Sequence, residues 1–257
     1  MSAKWGFVIL HYNTLNETEM CIKSIKRNCI DRQYEIIIVD NASPNNSGIK
    51  LKAEYEEANN ITVILLQENI GFANGNNIGI SKAREYKCEF VCCLNNDVLL
   101  LNANFCIEIE QGYKEYDAAV IGPKVILNNN AVQGIRGPIK KREEYINELE
   151  NLIKRYNYLL KYNKFQIRLN DVIKRILPSN IVNYCKKVKR KNVENKLAEN
   201  VVLHGCCLIF TPIFWKKCLG FDSRTFLYHE EELLFLMVRK NNLKTLYLPR
   251  VNVHHME

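Results

Sequence analysis

A single carboxylate, Asp97, stands where an apolar run of the chain ends. Residues 90–94 are continuously apolar, as buried parallel strands are, and Asn95 and Asn96 separate them from Asp97. In open α/β sheets, ligands bind outside the carboxyl ends of the strands, so Asp97 is directed towards the usual place of catalysis or metal binding. Asp and Asn are also common in turns and helix caps, and this segment by itself is equally compatible with an ordinary loop.

Two segments near the C-terminus contain further groups that could do chemistry. Three consecutive glutamates, residues 230–232, follow the aromatic-rich residues 226–228 and open a predicted helix. The helix dipole favours acidic residues there, but three in succession exceed what capping requires, and one of them is a candidate general base. His254 and His255 end a strand-like alternating pattern. Such a His is often structural, but paired with a distant Asp in one crevice it is a candidate ligand for Mn²⁺ or Mg²⁺.

Two loops in the first half of the chain are rich in polar residues. Asp40 ends the second apolar run, and it is either a turn residue or a hydrogen-bond acceptor for a ribose or base. The segment NIGFANGNNIG at 69–79 contains three glycines, which permit unusual backbone angles or close approach, and the helix that follows offers free N–H groups to an anion. It matches neither a dinucleotide-binding motif nor a P-loop, and a turn followed by a helix cap is the alternative.

Alternating strand and helix patterns must position these groups. Apolar runs predict strands, and amphipathic stretches between them predict helices at residues 16–28, 48–58, 76–86 and 102–116. Strands that alternate with helices predict right-handed βαβ units, hence an α/β fold with a mostly parallel central sheet and helices on both faces. The predicted strands are residues 5–10, 34–39, 61–66, 90–94, 118–121 and 201–210, followed by a helix at 230–241 and two short strands.

The net charge of +8 is concentrated in one segment. Residues 140–196 carry 16 Lys and Arg against 6 acidic residues. The surrounding segment 133–200 has helix-like spacing of apolar residues and is predicted to be a basic helical insertion within a single domain of residues 1–257. Its surface is either simply solvated or a binding face. The chain contains no apolar run of membrane-spanning length and no signal-peptide core, which predicts a protein that is neither secreted nor integral to a membrane.

The order of these motifs resembles family 2 glycosyltransferases of the GT-A fold, with its Rossmann-like sheet. Among them it is most similar to bacterial rhamnosyltransferases and to transferases of capsule or O-antigen polysaccharides. The resemblance covers residues 5–130 and 200–255 and leaves out the insertion. It is carried by VDNAS at 39–43, NIGFANGNNIG at 69–79, LNND at 94–97, HGCCLIF at 204–210, FLYHEE at 226–231 and the terminal VHH.

The resemblance implies an inverting, metal-dependent transfer of a sugar from a UDP- or dTDP-sugar to a hydroxyl of a glycan or lipid-linked acceptor, in bacterial surface polysaccharide synthesis. Glu231 matches the catalytic base, with Glu230 as its rival. Asp97 would hold Mn²⁺ or Mg²⁺ together with His254 or His255, and His254 is the preferred partner. The positions that match the nucleotide-sugar site are His11, Tyr12, Asn13, Asp40, Asn41, Ser43, Asn69, Gly71, Phe72, Asn76 and Asn96.

Two departures from the family pattern leave other functions open. Asn95-Asn96-Asp97 keeps only the last acid of the family's Asp-x-Asp motif, and Leu233 stands at the second acidic position after the base. The alternatives are a nucleotidyltransferase, a catalytically silent relative that binds donor, and a basic nucleic-acid-binding protein. The last shows no recognised nucleic-acid module, so no nucleic-acid partner is expected. The expected location is cytoplasmic, with contact to the membrane surface through residues 140–196.

Overall fold

The first four apolar runs form neighbouring parallel strands in the computed structural model, which describes residues 3–136 and 195–256. Strand β1 lies between β2 and β4, and β3 pairs with β2 at the edge of the sheet. Because the strands are parallel and in register, His11 lies opposite Asp40, and Leu10 lies opposite Asn95. The four strands are β1 (Trp5–His11), β2 (Tyr34–Asp40), β3 (Ile61–Leu65) and β4 (Phe90–Asn95).

The second half of the sheet mixes both strand directions. Within the described residues, the long path through the sheet has the order β3-β2-β1-β4-β11-β6-β12-β5. Strand β11 is antiparallel to both β4 and β6, whereas β12 is parallel to β6 and antiparallel to β5. The strands are β5 (Val98–Leu100), β6 (Val120–Leu127), β7 (Val132–Gln133), β8 (Ile135–Arg136), β9 (Ala198–Glu199), β10 (Val202–Leu203), β11 (Cys207–Phe210) and β12 (Thr245–His255).

Helices cover both faces of this sheet, as predicted. Helices α1, α2 and α4 contribute Ile22, Leu51 and Phe105 to one buried apolar cluster, while α3 and α5 contribute to a second cluster on the opposite face. Burying side chains of this size contributes about 1.5–3 kcal/mol each to the hydrophobic stabilisation of the fold. The helices are α1 (Leu15–Asn28), α2 (Ser47–Glu54), α3 (Phe72–Glu85), α4 (Phe105–Tyr116) and α5 (Glu230–Lys240). The predicted α/β fold class is thereby confirmed.

Several local predictions differ from the structure. Residues 201–210, predicted as one strand, form two strands, β10 and β11, separated by a turn at residues 204–206. Hydrogen bonds from the backbone of this turn to residue 134 and to Glu231 interrupt the strand. The C-terminal segment, predicted as two short strands, is the single strand β12, whose register shifts between Leu248 and Asn252. Helix α3 begins at Phe72, four residues earlier than predicted.

The predicted basic helical insertion at residues 133–200 lies largely outside the described residues. At its two ends, where the chain is described, the structure has the short strands β8 and β9 and no helix. Strand β8 pairs with β10, and β9 pairs with β12. The prediction for residues 137–194 stays a prediction. None of the helices within the described part of the chain is long and apolar enough to cross a membrane.

Candidate functional site

The ends of β1 and β2 are held together by the side chain of His11. His11 is fully buried, and its Nδ1 and Nε2 atoms lie 2.7 Å from the hydroxyl oxygens of Thr18 and Ser47, respectively. Burial lowers the pKa of His11, although the neighbouring Asp40 opposes this effect, and the ring is favoured in its neutral form. The His11 side chain therefore links β1 to α1 and α2, and its predicted part in nucleotide binding stays a prediction.

Asp40 and Ser43 connect the loops that follow β1 and β2. Asp40 is 5% exposed and accepts hydrogen bonds from the Ser43 hydroxyl and from the Ser43 N–H (3.2 Å). The Ser43 hydroxyl in turn accepts from the Asn13 N–H at 2.8 Å. Asn13 has a positive φ of 67°, and its buried Oδ1 has no hydrogen-bond partner among the described residues. A buried acceptor of this kind requires a donor, so Asn13 offers a site for an N–H or O–H group of a ligand. Tyr12, next to it, is exposed.

Asn41 and Asn69 fix the first turn of the loop that precedes α3. The Asn41 side-chain amide donates to Asn69 Oδ1 (2.8 Å), and its Oδ1 accepts from the Ile70 N–H (3.0 Å). The Gly71 N–H also donates to Asn69 Oδ1, at 3.0 Å. Two predicted nucleotide-binding amides are thus engaged in holding the loop in a single conformation.

The Asn- and Gly-rich segment also anchors the residues that precede α5. The Phe72 N–H donates to the Phe226 carbonyl at 2.9 Å. Asn77 exchanges two hydrogen bonds with the backbone of Phe221, at 2.8 and 3.0 Å, and the rings of Phe72 and Phe221 pack edge to face. Residues of the Asn- and Gly-rich segment, which was predicted to line a donor pocket, therefore hold in place the residues that lead to the glutamates of α5.

Asn76 is a second buried amide with an unused acceptor. It is 1% exposed, and its Nδ2 donates to the Phe72 carbonyl at 3.0 Å. Its Oδ1 has no hydrogen-bond partner within the residues that the structure describes. Asn13 lies in the loop after β1, and Asn76 lies near the start of α3, which follows the loop after β3. A ligand at this edge of the sheet could supply the missing donor.

Replacement of Gly71 by Ala is expected to destabilise the protein by about 1–3 kcal/mol, because Gly71 has φ +84° and ψ −179°, a conformation that is essentially restricted to glycine. An added Cβ would also lie 2.2 Å from the Phe226 carbonyl oxygen. Urea denaturation measures the change, with the exposed Ser81→Ala in the same helix as a control that shifts stability by at most about 0.5 kcal/mol. Equal urea midpoints for Gly71→Ala and Ser81→Ala would contradict the close approach of Gly71 to the Phe226 carbonyl.

The first turn of α5 separates the two candidate bases. Tyr228 and His229 have positive φ angles of 74° and 69°, and the helix begins directly after them at Glu230. Glu230 is 5% exposed, and its Oε1 has no hydrogen-bond partner among described residues. Glu231 instead accepts a hydrogen bond from the Gly205 N–H at 3.2 Å, so its carboxylate lies against the turn at residues 204–206.

Asp97 lies beside His255 and not beside His254. His255 Nε2 is 3.2 Å from Asp97 Oδ1, and the Met256 N–H donates to the Asp97 carbonyl at 3.0 Å. Side chains alternate between the two faces of a strand, so only one of the two histidines of β12 can face Asp97. His255 is 2% exposed, whereas His254 is half-buried. Of the two predicted partners, the structure places His255, and not the preferred His254, beside Asp97, and the metal-binding role itself stays a prediction.

Asn96 faces the start of α1. Its Nδ2 donates to the Thr18 hydroxyl at 2.9 Å and also to the hydroxyl and carbonyl of Thr14. These bonds hold the turn between β4 and β5, in which Asp97 lies, against the helix. The predicted contact of Asn96 with a ribose or metal stays a prediction, and its visible role is to position Asp97.

His204 begins the HGCCLIF motif, but sequence analysis assigned it no role in the site; it lies between Glu231 and the Asp97–His255 pair. Its ring meets the His255 ring edge to face, with centroids 6.0 Å apart, and the next residue, Gly205, bonds Glu231. The signal available in the sequence was the His-Gly pair that interrupts an otherwise apolar run. The turn at 204–206 thus brings Glu231 into the neighbourhood of the Asp97–His255 pair.

A groove on the described surface lies away from this cluster. A shallow depression of about 570 Å³ runs along the outer face of α3, and Ile64, Asn77 and Lys82 are among its lining residues. It contains no carboxylate or histidine of the cluster, and its Lys82 is paired with Glu85. The convergent polar groups at the strand ends are therefore the better-supported site.

The sheet order and the cluster at its carboxyl edge define an α/β protein of the GT-A type, and comparison with solved structures agrees. A crystal structure of GalNAc-T7 with UDP, GalNAc and Mn²⁺ is similar with a TM-score of 0.64 at 14% identity, over 99% of this chain and 44% of that one. A structure of S. aureus TarS 1-349 is similar with a TM-score of 0.58 at 14% identity, over 98% of this chain and 60% of that one. The same TarS fragment in complex with UDP gives a TM-score of 0.57 at 16% identity.

The chain belongs to glycosyl transferase family 2, whose model matches residues 7–177, more than half of its length. This confirms the predicted family, while the resemblance to rhamnosyltransferases and to capsule or O-antigen transferases stays a prediction. No relative was found among curated protein sequences. The chain spans 60% or less of the length of the solved structures described above.

Proposed function

We propose that this protein transfers a sugar from a nucleoside diphosphate sugar to an acceptor hydroxyl, with inversion at the anomeric carbon. The observation that carries the proposal is the turn at residues 204–206. Its Gly205 N–H binds Glu231, and its His204 ring contacts His255, which in turn lies beside Asp97. A general base and a diphosphate-binding centre are the two elements that a direct displacement requires, and family membership supports the same chemistry.

Glu231 is the proposed base. It would remove the proton of the acceptor hydroxyl as the oxygen attacks the anomeric carbon on the face opposite the leaving diphosphate. Its hydrogen bond from the Gly205 N–H orients the carboxylate towards the turn at residues 204–206, whereas the side chain of Glu230 is more deeply buried. A single displacement inverts the configuration and needs no nucleophile from the protein.

Asp97 and His255 fit the role of ligands for Mn²⁺ or Mg²⁺. Their Oδ1 and Nε2 atoms are 3.2 Å apart, close to the ~3 Å between neighbouring ligands of an octahedral ion with bonds of about 2.1 Å. No group of three or more His, Cys, Asp or Glu side chains in the described ranges could hold an ion, so donor phosphate oxygens would complete the coordination. A bound ion supplies Lewis-acid neutralisation of the charge on the departing diphosphate.

The proposed donor is a UDP- or dTDP-sugar. Two of the similar structures contain UDP, and both bases carry an N–H donor on their pyrimidine ring. The buried Oδ1 atoms of Asn13, in the loop after β1, and of Asn76, near the start of α3, are acceptors that lack a partner among the described residues. We infer that the donor's base, ribose or sugar hydroxyls satisfy them.

The proposed acceptor is a hydroxyl of a glycan or lipid-linked glycan in bacterial surface polysaccharide synthesis, at the cytoplasmic face of the membrane. Residues 140–196 contain 16 basic residues and only 6 acidic ones, which supports contact with anionic lipid. Co-sedimentation with vesicles that contain an anionic lipid, weakened by added salt, is the expected behaviour. Binding that is absent or insensitive to salt would remove the membrane contact from the proposal.

A donor screen tests the proposed function most economically. Thermal melting with a panel of UDP-, dTDP- and GDP-sugars, each with and without Mn²⁺, is expected to show metal-dependent stabilisation by one nucleotide class. A ligand at 100 times its dissociation constant stabilises the folded state by about 2.7 kcal/mol, which is well within detection. No shift with any donor would contradict nucleotide-sugar binding.

A further inference from the structure

The turn between β10 and β11 is held from three directions. The His204 N–H donates to the Gly134 carbonyl at 3.1 Å, and the Asn95 N–H donates to the Cys206 carbonyl at 2.9 Å. Between them, the Gly205 N–H donates to Glu231 Oε1 at 3.2 Å. A Cβ on Gly205 would lie 2.5 Å from that same Oε1 atom, so the carboxylate rests directly on the turn. The position of the turn is therefore set by β4, by residue 134 and by the candidate base.

This anchoring gives His204 a defined ring position and a defined tautomer. The Cys206 N–H donates to His204 Nδ1 at 3.2 Å. An imidazole nitrogen that accepts a hydrogen bond has its lone pair available, so the proton of the neutral ring lies on Nε2. The ring meets His255 edge to face with centroids 6.0 Å apart, and His255 is in turn 3.2 Å from Asp97. The His204 ring, held by the turn, therefore lies next to the Asp97–His255 pair.

We propose that His204 donates a hydrogen bond from Nε2 to the diphosphate of the bound sugar donor. The inference rests on the proposed function and assigns a further substrate-contacting residue to it. In the displacement, the bond between the anomeric carbon and the diphosphate oxygen breaks, and its electron pair stays on that oxygen. The acceptor's proton passes to Glu231, and the proton on His204 Nε2 stays where it is. His204 stabilises the growing negative charge because its donor is already in place before the charge forms.

Two substitutions separate this role from a purely structural one. In His204→Asn, the side-chain oxygen can replace Nδ1 as the acceptor for the Cys206 N–H, but no atom reaches the position of Nε2. In His204→Gln, the longer side chain places an N–H donor near the position of Nε2 and gives up the bond to Cys206. The two variants thus each keep one function of the imidazole and remove the other.

Steady-state kinetics with the donor identified by the screen, at saturating Mn²⁺, tests the proposal. His204→Asn is expected to lower kcat by about 10²-fold, because removing one preorganised hydrogen-bond donor typically has an effect of this size. The KM of the sugar donor and the melting temperature should change little. His204→Gln is expected to retain a kcat at least tenfold above that of the Asn variant. The effect falls on kcat because the charge on the diphosphate grows in the transition state.

The reverse order would overturn the inference. If His204→Asn is as active as the wild type and His204→Gln is the impaired variant, His204 serves only to hold the turn. Absence of nucleoside diphosphate release by the wild-type protein would instead overturn the proposed function. This second failure is recognised in the wild type, before any variant is compared.

Discussion

Glu231→Gln is expected to lower the rate of sugar transfer by about 10²–10⁴-fold, the usual contribution of a positioned general base. The amide keeps the size of the side chain and an oxygen that can accept the hydrogen bond from the Gly205 N–H. It cannot take a proton from the acceptor hydroxyl. Binding of the nucleoside diphosphate and the melting temperature should therefore stay unchanged. Initial rates of transfer and calorimetric titration with UDP or dTDP measure the two properties separately.

Two neighbouring glutamates provide controls for this experiment on the same helix turn. Glu232 lies 3.8 Å from His229 Nδ1 and has no contact with the turn at 204–206 that the structure records, so Glu232→Gln should transfer sugar at nearly the wild-type rate. Glu230→Gln tests the rival base. An active Glu231→Gln together with an inactive, well-folded Glu230→Gln would assign the base to Glu230 and contradict the proposed site.

Asp97→Ala is expected to weaken Mn²⁺-dependent binding of the nucleoside diphosphate by about 10²-fold or more, because changes even to groups behind metal ligands cost 10–100-fold. His255→Ala should have a comparable effect, since the two side chains lie 3.2 Å apart at the end of the sheet. Calorimetric titration of UDP or dTDP in the presence and absence of Mn²⁺ measures the metal-dependent part of the affinity.

His254→Ala is the matched control for the substitutions of Asp97 and His255. His254 is adjacent in sequence to His255 but alternates to the other face of β12, so its removal should leave the metal-dependent affinity within about threefold of the wild type. An unchanged Mn²⁺ titration in Asp97→Ala would remove the proposed ligand role. A larger loss in His254→Ala than in His255→Ala would restore the original prediction from the sequence.

Much of the fold was predictable because the first half of the chain repeats one simple pattern. The runs that became β1 to β4 are continuously apolar and are separated by amphipathic helices, so strand, helix and parallel pairing follow from the same residues. The strand ends then had to meet at one edge, which predicted that Asp40 and Asp97 would lie on the same side of the sheet. Strand β5 escaped prediction because Val98–Leu100 is only three residues long.

The details of the site depended on contacts between residues far apart in sequence. Which histidine faces Asp97 is decided by one residue of register between β12 and β5, and a shift of one residue exchanges the two faces. Phe72 was predicted to line the donor pocket, but its N–H binds the backbone of residue 226, and Asn77 in the same Asn- and Gly-rich segment binds the backbone of residue 221. Local composition cannot distinguish a hydrogen bond to a ligand from one to a distant loop.

The products formed from a nucleotide-sugar test the central claim most directly. The wild-type protein would be incubated with the donor identified by the screen and a simple glycoside acceptor, with Mn²⁺ or with a chelator, and the products identified by chromatography and NMR. The account predicts metal-dependent release of the nucleoside diphosphate together with a new glycosidic bond of inverted configuration. Release of pyrophosphate, or formation of a nucleoside monophosphate and a sugar phosphate without any glycosidic bond, would contradict it.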